Sequence, residues 1–142
     1  MIVVVDASVA VKWFVFFKPD EDHDDLALKI LEQAVLGPLK LVEPPHFIAE
    51  VASVLARLRP DDVPANLLDL LNIERRTLDS PEIYATALAL ALRHQHHLFD
   101  TLYHAVALHT PGATLITADQ RYYDKAKAVG QITLLADWAG NA

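Results

Sequence analysis

The chain has 142 residues, 53% of them hydrophobic and 22% charged, the size and composition of one globular domain spanning residues 1–142. It has no cysteine, which excludes disulfides and thiolate metal sites, and its net charge of -7 argues against a general nucleic-acid binder, though not against a metal-using one that must concentrate carboxylates. No run approaches the ~20 apolar residues of a membrane span, and no basic segment precedes an apolar one as in a secretory leader, so a cytoplasmic protein without a membrane partner is expected.

Taken in chain order, Ile2–Val5 is a β-branched run ended by Asp6 and reads as a fully buried strand. Residues 8–17 read as helical or partly helical, and Pro19 breaks them. An amphipathic helix follows over residues 21–36, with Leu26, Ile30, Leu31 and Val35 on its apolar side and Gly37-Pro38 as its stop. Residues 39–42 are a second short strand. The next helix covers residues 45–58, begun by proline and closed by Pro60, with Phe47, Ile48, Val51, Ala52, Leu55 and Leu58 as its stripe.

Residues 65–74 form a further helix. Ser80-Pro81-Glu82 combines an N-cap, a proline at N1 and an acid in the first turn, so the alternating segment after it reads as helix rather than strand. Residues 101–109 make a short helix opened by Asp100. Pro111-Gly112 turns the chain into a strand at Ala113–Thr117, followed by a helix over residues 119–129 and a last strand at 131–135. This alternation of strands and helices indicates an α/β domain with a mainly parallel sheet flanked by helices.

Four acids stand out by position. Asp6 directly follows the first strand and Asp119 stands two residues after the strand at 113–117, so both belong at the carboxyl edge, where open parallel sheets bind ligands. Asp100 opens a helix that can face the same edge. Glu50 has Phe47 and Val54 as its i-3 and i+4 neighbours, which puts it at the border of a buried stripe. Taken singly, Asp100 and Asp119 also fit as helix caps and Glu50 as a solvated or ion-paired residue. Asp6 is the hardest to explain structurally, because an acid ending a buried strand needs a partner. If the four converge, their mutual repulsion calls for a cation, and hard oxygen donors suit Mg²⁺ or Mn²⁺. Ser8 and Thr117 offer hydroxyls to orient a carboxylate or a metal-bound water.

More conspicuous features carry less. The run at residues 20–25 begins like a calcium loop, but Asp25 occupies the glycine position and Leu31 that of the bidentate glutamate, so it reads as a solvated helix start. His94, His96, His97, His104 and His109 lack any zinc-ligand pattern and read as exposed residues near helix ends. Trp13, Phe14, Val15, Phe16 and Phe17 divide between core and partner interface. Lys12, Arg121 and Lys125 are the candidate phosphate contacts.

Four segments in order, VVVDASVAVKWFV, PPHFIAEVASVL, FDTLYHAVAL and LITADQRYYDKA, resemble PIN-domain proteins of the VapC toxin type, over nearly the whole chain. The resemblance implies a PIN-like three-layer α/β/α fold, Mg²⁺- or Mn²⁺-dependent endoribonuclease activity, a homodimer, and a cognate antitoxin whose tail covers the active-site groove. By motif position it makes Asp6, Glu50, Asp100 and Asp119 the acidic quartet. Asp6, Asp100 and Asp119 would hold metal directly, and Glu50 would act on metal or through water. The implied reaction is in-line attack of metal-activated water on an RNA phosphodiester. Two rivals are a PIN-like binding module that does not cleave and a phosphatase with Asp6 as nucleophile, the latter without the D-x-D signature because position 8 is serine.

Overall fold

The computed structural model describes residues 1–15 and 23–139; Phe16, Phe17, Pro19 and the acids at 20–22 lie outside the described residues. The first strand, β1 (Ile2–Val5), leads through Asp6 into a single helical turn, α1 (Ala7–Ala10), which tightens into a 3-10 turn at Val11–Trp13. The helix α2 (Asp24–Leu36) precedes β2 (Lys40–Glu43). Two helices follow, α3 (Phe47–Leu58) and α4 (Val63–Asn72), and then β3 (Arg76–Thr77). Next come α5 (Pro81–His94), α6 (Leu98–Leu108) and β4 (Ala113–Thr117). The short helix α7 (Gln120–Ala126) and β5 (Ile132–Leu134) complete the sheet.

The strands form one parallel sheet in the order β3-β2-β1-β4-β5, with helices flanking it. Val3, Val4, Val5, Leu115 and Ile116 are almost completely buried, which is why β1 and β4 read as unbroken apolar runs rather than alternating ones. Each such side chain contributes about 1.5–3 kcal/mol on burial, enough for the sheet centre to carry polar groups at its end. From β1 the chain passes to β2 on one side and later returns to β4 on the other. The carboxyl ends of β1 and β4 therefore flank the point where the winding reverses, the place where sheets of this type leave a crevice. The register sets Val5 beside Ile116, so Asp6 falls level with Thr117.

α6 packs against β1, β2 and β4 with α5 alongside it, and residues from Thr101 to Ala107 are all buried. Over this stretch the helix has no polar face to keep, and Thr101 resolves its own hydroxyl by donating to the carbonyls of Ala87 (2.8 Å) and Leu98 (3.1 Å). Ser80 caps α5 as expected, its Oγ accepting from the Ile83 amide at 3.3 Å.

Several boundaries move. α3 starts at Phe47 with His46 as its N-cap, so the proline start lies in the preceding turn. α4 begins and ends two residues earlier than its pattern suggests, and β3, with only two residues, leaves too short a pattern to read. Asp100 does not open α6: His97 is the N-cap, its Nδ1 accepting from the Phe99 amide at 3.2 Å, and Asp100 lies in the first turn. Val35 is 69% exposed, because α2 turns Ala27 and Ile30 to the core. Among the described residues, no helix is long and apolar enough to cross a membrane.

Candidate active site

Asp6 sits at the end of β1, 9% exposed, and its carboxylate does not cap the helix it precedes. Instead each oxygen takes a hydroxyl: Ser8 Oγ donates to Oδ1 and Thr117 Oγ1 to Oδ2. Both hydroxyls also accept, Ser8 from the Ala118 amide at 2.9 Å and Thr117 from the Asp119 amide at 3.0 Å. The two hydroxyls thus orient a carboxylate, one of the roles their positions suggested. They tie the end of β1 to the loop that carries Asp119.

Asp119 is the N-cap of α7, with Oδ1 accepting from the Tyr122 amide at 3.1 Å. The capping role open to it in the sequence is therefore real, and its second oxygen is left for another partner. Glu50, in the first turn of α3, accepts a 2.7 Å hydrogen bond from Tyr103 Oη. Tyr103 is fully buried; burial and then the Glu50 carboxylate push its phenol far above the usual range, so it remains a donor. Asp100 Oδ2 stands 3.0 Å from His96 Nε2.

The four acids reach one cavity of about 270 Å³, lined by Asp6, Ala7, Ser8, Val11, Glu50, Val54, Asp100 and Asp119. Ligand atoms of His96, Asp100 and Asp119 lie within 4.8 Å of one another. Burial pushes the Asp6 carboxyl up to about 7; the two hydroxyls oppose this, and the charges of Asp100 and Asp119 add to it. Carboxylates gathered this way carry uncompensated negative charge, and their oxygens are the hard donors that a small divalent cation takes. The donor set therefore fits Mg²⁺ or Mn²⁺, and such an ion would reverse the shift at Asp6 by favouring the ionised form.

Several side chains behave differently from the sequence reading. Lys12, a candidate phosphate contact, is buried within the 3-10 turn and pairs with Asp24 at 3.3 Å, so that acid is more than a solvated helix start. Lys125 faces His96 and the Gln95 carbonyl rather than open solvent. His104 is wholly buried, not exposed: Nδ1 meets Tyr122 Oη at 2.8 Å and Nε2 the Gly130 carbonyl at 2.7 Å, and burial lowers its pKa. Trp13 and Val15 join the core, Trp13 donating to the Ala27 carbonyl at 2.9 Å, while Phe14 is half-buried.

Glu43 was missed. It ends β2 as Asp6 ends β1, is 0% exposed, and accepts from the Val5 amide at 3.0 Å through Oε2, while Oε1 has no partner. Burial raises its pKa well above the carboxylate range, with Asp6 adding to the shift. The signal was the one that singled out Asp6: an acid closing an apolar strand. In the sequence His96 is one histidine among five, and its spacing of four from Asp100 is the signal that sets it apart.

A parallel sheet with a carboxylate-lined crevice at its winding reversal defines an α/β domain with an acidic centre. A model of the PIN domain family matches residues 3–128, and the chain belongs to that family. No curated protein matches it in sequence. Among solved structures, VapC20 of Mycobacterium tuberculosis, described as a sarcin-ricin-loop-cleaving toxin, superposes with a TM-score of 0.63 at 16% identity, covering 89% of this chain and 94% of that one. VapBC2 of Rickettsia felis, bound to a DNA fragment from its promoter, gives 0.62 at 17% identity, covering 94% and 97%. A protein of Pyrobaculum aerophilum gives 0.59 at 24% identity, covering 96% and 93%. At these identities the likeness is one of fold.

Proposed function

We propose that this PIN domain is a Mg²⁺- or Mn²⁺-dependent endoribonuclease of the VapC toxin type, acting as a single nuclease domain with Asp6, Glu50, Asp100 and Asp119 as its acidic centre. The observation that carries the proposal is the meeting of four acids from β1, α3, α6 and the β4–α7 loop in one cavity at the sheet's winding reversal. Asp6, Asp100 and Asp119 would hold the cation, with Glu50 fixed by Tyr103 beside them. A bound cation of this kind lowers the pKa of a coordinated water and neutralises charge on a phosphoryl group. The chain's own part is to hold the donors. Ser8 and Thr117 lock Asp6, the α7 cap locks Asp119, and Val11 and Val54 wall the cavity.

RNA is the proposed substrate. With a net charge of -7 and with Lys12 engaged by Asp24, affinity for phosphate rests largely on the cation, with Arg121 exposed at the start of α7. An antitoxin partner is supported by the likeness in fold to VapC20 and VapBC2. A cytoplasmic homodimer is the proposed state, supported by Tyr84, Leu88 and Leu92, which expose an apolar stripe at four-residue spacing along α5. The test is cleavage of RNA with Mg²⁺ or Mn²⁺, with EDTA and Asp6→Asn as controls. Cleavage lost in both controls is expected. Activity indifferent to both would overturn the metal mechanism, and metal binding without cleavage of any RNA would favour a non-catalytic binding module.

A further inference from the structure

His96 lies at the acidic centre without being one of its acids. Nε2 is 3.0 Å from Asp100 Oδ2 and Nδ1 is 3.2 Å from Lys125 Nζ. Lys125 Nζ also reaches the carbonyl of Gln95 at 3.3 Å, so it is anchored on the C-cap of α5 beside the ring. The ring leans on Tyr122 with centroids 4.8 Å apart, and 9% of the His96 side chain is exposed against 39% of that of Asp100. An ammonium has hydrogens to give and no lone pair. Nδ1 therefore accepts from Lys125, which leaves the ring hydrogen on Nε2, where it is donated to Asp100.

We propose that His96 is a positioning residue of the metal centre, an inference resting on the nuclease reading above: its Nε2 hydrogen holds Asp100 Oδ2 in place, with Lys125 fixing its tautomer. Asp100 keeps Oδ1 and a lone pair on Oδ2 for the ion. The same arrangement ties Lys125 to the ring and to the Gln95 carbonyl. The rival role is direct ligation, since His96 Nε2 lies within 4.8 Å of the oxygens of Asp100 and Asp119. Ligation requires Nε2 to lose its hydrogen and Nδ1 to carry one toward an ammonium, which sets two donors face to face.

The experiment uses the full chain and Mn²⁺ alone as the probe. Its dissociation constant is measured for wild type, His96→Leu and His96→Gln, with circular dichroism to establish folding, and the ring tautomer of the wild type is read from its ¹⁵N shifts. Removal of a hydrogen-bond partner behind a metal ligand weakens binding by ~10-fold or more, and that loss is expected for His96→Leu. His96→Gln, whose amide nitrogen can take the place of Nε2, is expected to bind close to wild type. The wild-type ring is expected with its hydrogen on Nε2. Unchanged affinity in His96→Leu overturns the proposal. So does equal loss in both variants together with nitrogen hyperfine coupling in the Mn²⁺ spectrum, which would make the ring a ligand. If His96→Leu does not fold, the tautomer decides: a hydrogen on Nδ1 overturns the proposal. If wild type binds Mn²⁺ and cleaves no RNA, the nuclease reading fails while the affinities still decide the role of His96; if it binds no Mn²⁺, both fall.

Discussion

Asp6 and Asp119 hang from strand ends, whereas Glu50 and Asp100 project from helices, and the two pairs are held by different means. The strand pair is cross-linked through the hydroxyls of Ser8 and Thr117 to backbone amides, so its geometry is part of the sheet. The helix pair is held by one side chain each, Tyr103 for Glu50 and His96 for Asp100. Disturbing the strand pair should therefore change the fold and the chemistry together, while disturbing the helix pair should change the chemistry with less effect on the fold.

The largest effect is expected from Asp6→Asn, which removes charge from the centre of both pairs. RNA cleavage should fall by at least about 10²–10³-fold, the scale for removing one preorganised stabilising group from a reacting centre, with the thermal midpoint in EDTA raised because a desolvated buried carboxylate is gone. A lowered midpoint would mean that Asp6 is structural first. Thr117→Val keeps shape but strips the Asp6 oxygen and the Asp119 amide of their shared hydroxyl. About 1–3 kcal/mol of stability should go with it, together with ~10-fold in Mn²⁺ affinity; chemical denaturation and metal titration check the pairing, and a loss of one without the other would break the contrast drawn between the two halves.

Tyr103→Phe is the matching change on the helix side. Cleavage should drop by ~10-fold while stability moves by about 1 kcal/mol or less, measured by RNA cleavage and chemical denaturation. The smallest effect concerns pH. In the fold Asp6 is pushed from 3.8 up to about 7, and Glu43 is raised too, so the metal-free protein binds more protons than the unfolded chain. The contribution of Asp6 is complete below its unfolded value and is lost as pH rises through about 7. The midpoint in EDTA should fall by roughly 5 °C between pH 5 and 8, and Mn²⁺ at pH 8 should recover it. A flat profile in EDTA would contradict the burial that sets these shifts.

What the sequence made legible follows the same division. The strands Ile2–Val5 and Ala113–Thr117 were readable to the residue because burial on both faces leaves an unbroken apolar run, and the acids after them inherit that clarity. Asp100 and Glu50 needed the family resemblance, because a helix displays its residues in every direction and only packing selects which face meets the sheet edge. The partner Tyr103 is beyond reach for the same reason, 53 residues from Glu50, while His96 offers only its spacing of four from Asp100 inside a His-rich segment. Lys12 reads as a surface cation in any window of sequence; its burial against Asp24 comes from how α2 packs on the 3-10 turn. Glu43 is as legible as Asp6, since it ends an apolar strand in the same way.

The Ser8 and Thr117 hydroxyls also set a direction for motion. Each gives its single hydrogen to Asp6 and receives one from the backbone at Ala118 or Asp119, so neither can rotate without breaking two bonds. The turn after β4 is thereby fastened like an extra rung of the sheet. Its two amides should resist exchange with deuterated solvent about as long as those of β4 itself. A loop built this way does not open to admit a substrate; any breathing of the cleft has to come from the helices opposite.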